Sequence, residues 1–492
     1  MTCSPSRRGA TAILLSAALL AGSPGWGANP APALPEADAR ELLANVQRLR
    51  PQTDRVALAI WNHAETGFQE LQSSAALQDT LRAAGFTIEA GVAGMPTAFI
   101  ARYRQGQGPV IGLLAEYDAL PGLAQAAEPR LSPLAGREAG HACGHHLFGA
   151  AVVASAIAAK EWMQKHGVGG ELRVYGSPAE EGGSGKVFLV REGLTRDVDA
   201  MLHWHPGSSN DATQYRTLAN VSARFTFTGI SAHAAMAPEQ GRSALDGVEA
   251  MNFMVNALRE HVPQETRIHY IISDGGLAPN VVPARAEAYY YVRHPSQRTL
   301  QDILARVVKA AEGAALGTGT QISHQVDSGT FDLLPNNALG AVVQRNLRRA
   351  GGYRYSPAEQ AFADALSPTL LGDGPRPGPE SIQPPADDRL RPASTDVGDV
   401  SYTTPTAGFE AATWVPGTPA HSWQAVAAGG MSIGLQGANV AARTLALSIA
   451  ELLRSPTVLE AARKELEERR GAGFRYRALI GDRPPPLDYR RR

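Results

Sequence analysis

The sequence contains very little cysteine, with only Cys3 and Cys143 in 492 residues. Residues 1–28 carry two arginines, then a short apolar run and small residues, a pattern typical of a cleaved signal peptide. Removal of that segment would leave Cys143 alone, which excludes an internal disulfide framework. We therefore expect an exported protein, periplasmic or secreted, in which the single thiol has a specific use such as metal ligation.

The sequence also lacks an excess of charge of either sign. Lys and Arg total 46 and Asp and Glu total 47, so the formal net charge is −1. Because nucleic-acid binding needs a basic surface, this balance argues against that class of partner. The apolar run at 10–22 is too short to span a bilayer as a helix, so we expect no membrane association after signal cleavage.

Alternating strand and helix patterns predict an α/β fold. Helix patterns lie at 37–50, 53–66, 72–85 and 147–166, and buried-strand patterns at 109–122, 171–183 and 198–207. Each strand pattern ends in carboxylates or histidines followed by Gly or Pro. Because the carboxyl ends of parallel strands meet at one edge of a sheet, we expect the active site there. The predicted catalytic domain, a mixed and mostly parallel sheet flanked by helices, covers 37–217 and 332–470.

A different pattern separates the two halves of that domain. Residues 218–331 read as strand, helix, two strands, helix and strand, which predicts an inserted ferredoxin-like α+β domain. Residues 372–395 are rich in Pro, Asp and Gly and predict a surface loop or an ordered insertion. The tail over 471–492 is expected to be loosely held.

The densest group of possible metal ligands is the segment EAGHACGHHLFG at 138–149, with three histidines and Cys143. Cys143 and His145 are two positions apart and would diverge on a helix, so we place them in a loop before the helix at 147–166. The helix dipole there favours a thiolate. Metal ligation, a Cys–His nucleophilic pair and a chance cluster all fit this segment taken alone.

Further candidates follow the other strand patterns. Glu180 and Glu181 end one strand, where adjacent side chains point apart, so one carboxylate can bind a metal while the other handles protons. His203 and His205 end the next strand, and His421 lies among turn residues. An exposed acidic pair and ordinary structural histidines are the alternatives. Thiol, imidazole and carboxylate together suit Zn²⁺ or another first-row divalent metal.

Eight motifs, in this order, resemble those of the M20 metallopeptidases. They are AEYDALPG, GHACGHHLFG, GSPAEEGG, WHPG, GISAHAA, GGLAPNVVP, STDVGDVS and GTPAHSWQ. The similarity covers roughly 40–480 and is strongest to the amidohydrolase branch of the family. It implies that the inserted domain is a lid and dimerisation domain.

The resemblance also implies roles for individual residues. Two divalent metal ions, Zn²⁺ or Mn²⁺, would be held by five ligands: Cys143, His145, Glu181, His205 and His421. Glu180 would be the general base, and Asp118 would orient an imidazole ligand. In the lid, His233 would hold the carbonyl oxygen of the substrate, and Asn280 and Arg293 would hold its carbonyl and carboxylate groups. One departure is His146, which stands where many relatives have Asp; His203 is interpreted as structural.

From this resemblance we expect an exported binuclear metal amidohydrolase that cleaves N-acyl or N-aroyl amino acids. A metallo-dipeptidase or aminoacylase of the same family is the alternative within enzymes, and a non-catalytic binding subunit is the alternative outside them. The resemblance further implies a homodimer, with a related second subunit as another possibility. In that homodimer the lids would pair across a two-fold axis, and each lid would supply its histidine to the metals of the other chain.

Overall fold

The structure is a computed structural model that describes residues 34–490 except 373, 375, 387 and 388. The predicted signal peptide at 1–28 lies outside the described residues. Within the described part of the chain, no helix combines the length and the apolar character needed to cross a membrane.

Helices and strands alternate through most of the chain. The α-helices are α1 (Glu36–His63), α2 (Leu71–Ala83), α3 (His145–His166), α4 (Glu180–Gly183), α5 (Gly185–Arg191), α6 (Ala244–Leu258), α7 (Gln297–Thr318), α8 (Asn337–Ala350), α9 (Pro357–Leu366), α10 (Val397–Thr403), α11 (Trp423–Gly429), α12 (Ser432–Leu453) and α13 (Pro456–Arg470). The strands are β1 (Thr87–Ala90), β2 (Phe99–Gln105), β3 (Val110–Ala115), β4 (Leu120–Pro121), β5 (Ala139–Gly140), β6 (Gly170–Gly176), β7 (Ala200–Leu202), β8 (His205–Gly207), β9 (Ala219–Thr228), β10 (Arg267–Asp274), β11 (Arg285–His294), β12 (Gln321–Thr330), β13 (Thr406–Ala407) and β14 (Glu410–Ala412).

The central sheet has the strand order β1-β2-β6-β3-β7-β13. The pairs β6–β3, β3–β7 and β7–β13 are parallel, whereas β1–β2 and β2–β6 are antiparallel. This is the mixed, mostly parallel sheet that the sequence predicts. Because β6, β3 and β7 are parallel neighbours, the segments that follow them leave the same edge of the sheet.

Both faces of the central sheet are covered by helices. Alternate residues of β2 belong to different cores: Phe99 and Ala101 pack under α1, α3 and α12, and Ile100 packs on the other side with α5 and α10. This alternation is the two-residue period of a strand, and it explains the continuous apolar runs of the buried strands.

The first helix corrects one expectation. The patterns at 37–50 and 53–66 are parts of a single helix, α1, which runs through Pro51. A proline inside a helix removes one backbone hydrogen bond and normally favours a break. Here apolar residues on both sides of Pro51, such as Leu49 and Ala57, are buried in one continuous core, and this packing outweighs the local preference.

The second sheet has the order β10-β11-β9-β12, and all its pairs are antiparallel. Helices α6 and α7 pack on one face of it. The chain order β9-α6-β10-β11-α7-β12 is the predicted ferredoxin-like arrangement. The exact domain limits at 218 and 331 stay predictions.

The C-terminal segment also differs from expectation, because residues 471–490 are not loosely held. Ile480 is 4% exposed and belongs to the core beside α5. The Tyr476 hydroxyl donates to Asp399 at 2.7 Å, and Arg191 donates to the carbonyl oxygens of Gly481 and Arg483. Proline and turn residues do exclude helix here, but buried side chains tie the segment to the catalytic domain.

Candidate metal centre and active site

Cys143 lies in the loop before α3, as predicted, whereas His145 is the first residue of that helix, which begins two residues earlier than expected. Gly144 separates them with a φ of 78°, and a Cβ on Gly144 would lie only 2.6 Å from the Cβ of Pro206. Glycine is therefore needed both for the turn and for the close approach. The turn directs Cys143 Sγ to within 3.4 Å of His205 Nε2, so the loop before α3 meets the first residue of β8.

His145 is held between two carboxylates in the interior. Its Nδ1 donates to Asp118 Oδ1 at 2.8 Å, and its Nε2 lies 3.1 Å from Glu116 Oε2. Burial lowers the pKa of His145, but the neighbouring Cys143, Asp118 and Glu116 together outweigh burial and raise that pKa well above its usual value. The hydrogen bond on Nδ1 fixes the tautomer, so Nε2 is the atom offered to a ligand.

Glu180 and Glu181 lie in a tightly turned loop after β6. Ala179 and Ser184 have φ values of 55° and 57°, a conformation that costs non-glycine residues free energy. A side-chain oxygen of Glu181 lies 3.0 Å from Nε2 of His421, and the backbone N–H of Glu181 donates to Asp118 Oδ2 at 2.9 Å. The loop thus directs the Glu181 carboxylate toward the imidazole of His421, which lies about 240 positions later in the chain.

His421 reaches the cluster from the C-terminal half of the catalytic domain. It has a φ of 59°, and its backbone N–H donates to the carbonyl of Ala142, next to Cys143. The close contact of its ring with the Glu181 carboxylate raises the pKa of His421. The sequence around His421 shows no helix or strand pattern, and the residue is positioned by its contact with the loop that carries Cys143.

All five predicted metal ligands lie in one cluster. Three sets of side chains each place one donor atom per residue within 4.8 Å of the others: Cys143 with His145 and His205, Cys143 with Glu181 and His421, and His145 with Glu180 and Glu181. The buried atoms Glu116 Oε2 and His145 Nε2 lie 3.1 Å apart, and Glu181 Oε1 lies 3.0 Å from His421 Nε2, but none of these atoms makes a well-directed hydrogen bond within the described residues. Buried polar atoms are normally satisfied, so donors and acceptors that lie close together without a well-directed hydrogen bond fit a divalent metal site with N, O and S ligands.

Sequence reasoning missed a buried charge network beside this cluster. The Lys186 ammonium lies 2.7 Å from Glu116 Oε1 and donates to Asp396 Oδ1 at 2.7 Å. Burial lowers the pKa of Lys186, but Asp396 and Glu116 outweigh burial and raise it. Burial also raises the pKa of Asp396 to about 6. The three residues lie in the separate segments AEYDALPG, GGSGK and STDVGDVS. No local sequence pattern indicates that these segments contact one another.

Glu180 is close to several of these charges. Burial, and then the carboxylates Glu116, Glu181 and Asp396, raise the pKa of Glu180 well above its ordinary value. A carboxylate beside a polarised water can accept a proton and return it in a later step. This environment suits the predicted role of Glu180 as a base.

A cavity of about 500 Å³ opens beside the cluster. Glu180, Glu181, His205 and His421 line one side. Aromatic side chains of Tyr215, Phe409 and Trp414 form other parts of its wall, together with Arg391 from the segment 372–395. The segment is therefore more than a surface loop, because Arg391 donates to Glu410 and stacks on Tyr215 inside the cavity wall.

The three predicted lid residues do not join the cluster within one chain. His233, Asn280 and Arg293 are absent from the residues that line the cavity. His233 is exposed, and its Nδ1 accepts hydrogen bonds from the backbone N–H groups of Ala235 and Met236, so Nε2 faces outward. Ala234 N–H donates to the carbonyl of Asn280 at 3.0 Å, which holds these two lid segments together.

Of the two histidines without predicted roles, His146 is buried and His203 is half-buried. His146 Nε2 donates to the carbonyl of Gly429 at 3.0 Å, and burial lowers its pKa to about 3. Burial lowers the pKa of His203 to about 4, and its ring packs so closely on Gly408 that a Cβ there would lie 2.2 Å from Nε2. His203 also lines the cavity.

The chain is similar in sequence to known proteins of one family. Residues 218–318 match the peptidase dimerisation domain of the M20 family. The chain is 41% identical over 442 residues to one of the two subunits of p-aminobenzoyl-glutamate hydrolase from Escherichia coli, covering 84% of this chain and 91% of that protein. It is 27% identical to the Xaa-Arg dipeptidase of Mus musculus, with 83% and 87% covered.

Solved structures show the same fold. An aminobenzoyl-glutamate utilization protein from Klebsiella pneumoniae superimposes with a TM-score of 0.60 at 18% identity, covering 85% of this chain and 98% of that one. A dinuclear metal-binding peptidase of the M20 family from Bacillus subtilis superimposes with a TM-score of 0.56 at 17% identity, covering 82% and 99%. The motif order and the comparisons therefore lead to one family.

Proposed function

The chain belongs to the M20 metallopeptidase family and is a hydrolase of amide bonds, and we propose that it cleaves N-acyl or N-aroyl amino acids resembling p-aminobenzoyl-glutamate. The observation that carries the proposal is the cluster of thiol, imidazole and carboxylate donors with Glu180 beside it and a cavity next to it. We further propose that Cys143, His145, Glu181, His205 and His421 hold two divalent ions, Zn²⁺ or Mn²⁺.

The residues of the chain account for the proton transfers of such a reaction. Divalent ions bound there would polarise the substrate carbonyl and make a water molecule more acidic. Glu180 accepts a proton from the attacking water, whose oxygen forms a bond to the carbonyl carbon. When the C–N bond breaks, Glu180 returns that proton to the leaving amine. Asp118 keeps His145 in the tautomer that presents Nε2 to the cluster.

The cavity wall supports the choice of acyl group. Tyr215, Phe409 and Trp414 offer aromatic surface to a flat, aromatic acyl or aroyl half. The amino-acid half would need a cation for its free carboxylate, and we assign that role to Arg293, with Asn280 beside the scissile group. Since these two residues and His233 lie outside the cavity of their own chain, they would come from a second copy.

An exposed apolar surface on the lid supports a homodimer. Phe253 on α6 is 76% exposed, and Ile271 on the edge strand β10 is 61% exposed. Open strand edges and exposed apolar patches are usually covered in the native assembly. We propose that the lids pair there and that His233 of each chain serves the metals of the other. A related second subunit is the alternative occupant, because the Escherichia coli relative is named as one of two subunits.

The apolar pattern of residues 10–22 supports export, so we propose a periplasmic or secreted location. Separation of a reporter fused to residues 1–40 into cell fractions tests this. A reporter that stays in the cytoplasm would contradict it.

The test of function is hydrolysis by the purified mature chain of a panel of N-acyl amino acids, N-aroyl amino acids and dipeptides, with each metal added back after chelation. We expect aroyl-amino acids to be the best substrates and activity to require metal. Dipeptides ending in arginine test the alternative suggested by the dipeptidase relatives, since carboxylates of Asp211 and Glu410 also line the cavity. No amide hydrolysis by any metal-loaded form would overturn the proposal.

A further inference from the structure

Two residues of the C-terminal segment, Tyr489 and Arg490, contact the loop that carries Glu181. The Tyr489 hydroxyl donates to the backbone carbonyl oxygen of Glu181 at 2.8 Å, and the Arg490 guanidinium donates to the same oxygen. We propose that Tyr489, assisted by Arg490, is a positioning residue that holds Glu181 in the orientation needed to bind metal. This inference rests on the proposed role of Glu181 as a ligand.

The loop that carries Glu181 needs external support. It contains left-handed backbone at Ala179 and Ser184, and Gly182 has a φ of 92°. Residues in such conformations persist only when surrounding contacts hold them. The backbone N–H of Glu181 is held by Asp118 on one side, and its carbonyl is held by the C-terminal segment on the other. The backbone N–H and the backbone carbonyl of Glu181 are therefore both held in place. Because the backbone is held, the direction of the Glu181 carboxylate is also fixed.

The position of Tyr489 is closely defined by its neighbours. Its ring packs edge-on against Phe68 with centroids 5.8 Å apart. Its hydroxyl lies over Gly67, where a Cβ would be 2.4 Å from the hydroxyl oxygen and 2.8 Å from the Cβ of Ala179. Only a residue without a side chain at 67 leaves room for both the loop and the tyrosine. Tyr489 is thus closely packed at a defined position beside Phe68 and Gly67.

Further contacts hold the C-terminal segment near this position. Gln69 donates from its side chain to the carbonyl of Leu487 at 2.8 Å, two residues before Tyr489. Leu479 lies against Gly329 in β12, one of the strands of the lid sheet, where a Cβ would be 2.7 Å from the Cβ of Leu479. The segment therefore touches the lid sheet, the core beside α5 and the Glu181 loop in turn.

The test compares metal binding and catalysis in variants of the full chain. Tyr489→Phe removes the hydroxyl and keeps the ring, and a second variant adds Arg490→Met to remove the other donor. Tyr476→Phe is the matched control, because it removes a hydroxyl from the same segment that bonds Asp399 and does not touch the loop. Metal affinity is measured by chelator competition, and kcat and KM are measured on the best substrate of the panel.

We expect the double variant to lose about 10- to 100-fold in metal affinity, the range typical of residues that orient metal ligands. In metal-saturated protein, kcat should fall while KM stays near that of the unaltered protein, since the substrate-binding surfaces are unchanged. Tyr489→Phe should show part of the same loss. Tyr476→Phe should leave metal affinity unchanged even if the thermal midpoint falls.

Two results would overturn the inference. One is a double variant with metal affinity and kcat within about twofold of the unaltered protein, far below the loss expected of an orienting residue. The other is an equal loss of metal affinity in Tyr476→Phe, which would make the effect one of general stability. Glu181→Gln separates this inference from the proposed function: if that variant keeps its metal, the ligand assignment itself is wrong, whereas loss of metal in Glu181→Gln alone refutes only the role of Tyr489.

Discussion

The carboxylate of Asp118 accepts a hydrogen bond from His145 Nδ1 at 2.8 Å, and its other oxygen accepts the backbone N–H of Glu181 at 2.9 Å. One buried carboxylate thus orients two proposed metal ligands that belong to different loops. Burial raises the pKa of Asp118, but His145 outweighs burial and holds that pKa below its usual value, so the group stays ionised.

Replacement of Asp118 by Asn should weaken metal binding. An amide has one accepting oxygen and one donating nitrogen, so it cannot accept from both His145 and Glu181, and one N–H would meet another N–H. We expect about a 10- to 100-fold loss of metal affinity, measured by chelator competition. Asp332→Asn is the control, because Asp332 is also buried and accepts two hydrogen bonds, from Gln297 and Tyr402. Equal metal affinity in both variants would contradict the role of Asp118.

Glu180→Gln and Glu181→Gln should have different effects. The first removes a proton acceptor, so kcat should fall by about 10²- to 10⁴-fold or more while metal stays bound. The second removes an anionic ligand, so metal content and activity should fall together. Elemental analysis after gel filtration measures metal, and initial rates measure kcat. If both variants lose metal to the same extent, the assignment of base and ligand is wrong.

Cys143 should be protected from thiol reagents by metal. Burial and the charge of Glu181 raise the pKa of the thiol in the metal-free protein, yet Cys143 lines the cavity and a small reagent can reach it. Coordination would occupy the sulfur, so labelling should be slow in holo-protein and faster after chelation. Labelling of the unfolded chain gives the reference rate. Equal rates with and without metal would favour the nucleophile interpretation.

A site shared between two chains predicts complementation. His233→Ala and Glu180→Gln should each be nearly inactive. The His233→Ala variant loses one oxyanion donor, which should lower turnover by about 10²- to 10³-fold. A mixed dimer would contain one site with Glu180 from one chain and His233 from the other, so activity should return when the variants are mixed and exchange subunits.

The control for that experiment is a mixture of Glu180→Gln with Glu181→Gln. Both changes lie in the catalytic domain, so every site of their mixed dimer carries one defect and no activity should return. Subunit exchange is followed by native mass spectrometry. If exchange is complete and the His233→Ala mixture remains inactive, His233 does not act across the interface.

Much of the fold follows from local sequence patterns. The buried run that became β3 is a continuous apolar segment, and the helical period identifies α7, because burial on one or both faces leaves a regular mark on the sequence. The order of elements then predicts both sheets. Ligand types near strand ends are also visible locally and mark Cys143 and the pairs Glu180–Glu181 and His203–His205 as candidates, whereas the choice of Cys143, Glu181 and His205 as ligands came from the resemblance to the M20 family.

Other features depend on contacts between distant residues. Lys186 meets Asp396 across 210 positions and Tyr489 meets Glu181 across 308, and no periodicity relates such pairs. Pro51 lies inside a helix because packing on both sides outweighs its local preference. The sequence by itself determined the elements and the chemistry of the ligands, since these depend on neighbouring residues. Only the tertiary structure decided how the loop around Glu181 is held, because burial and long-range hydrogen bonds stabilise a backbone conformation that local preferences disfavour.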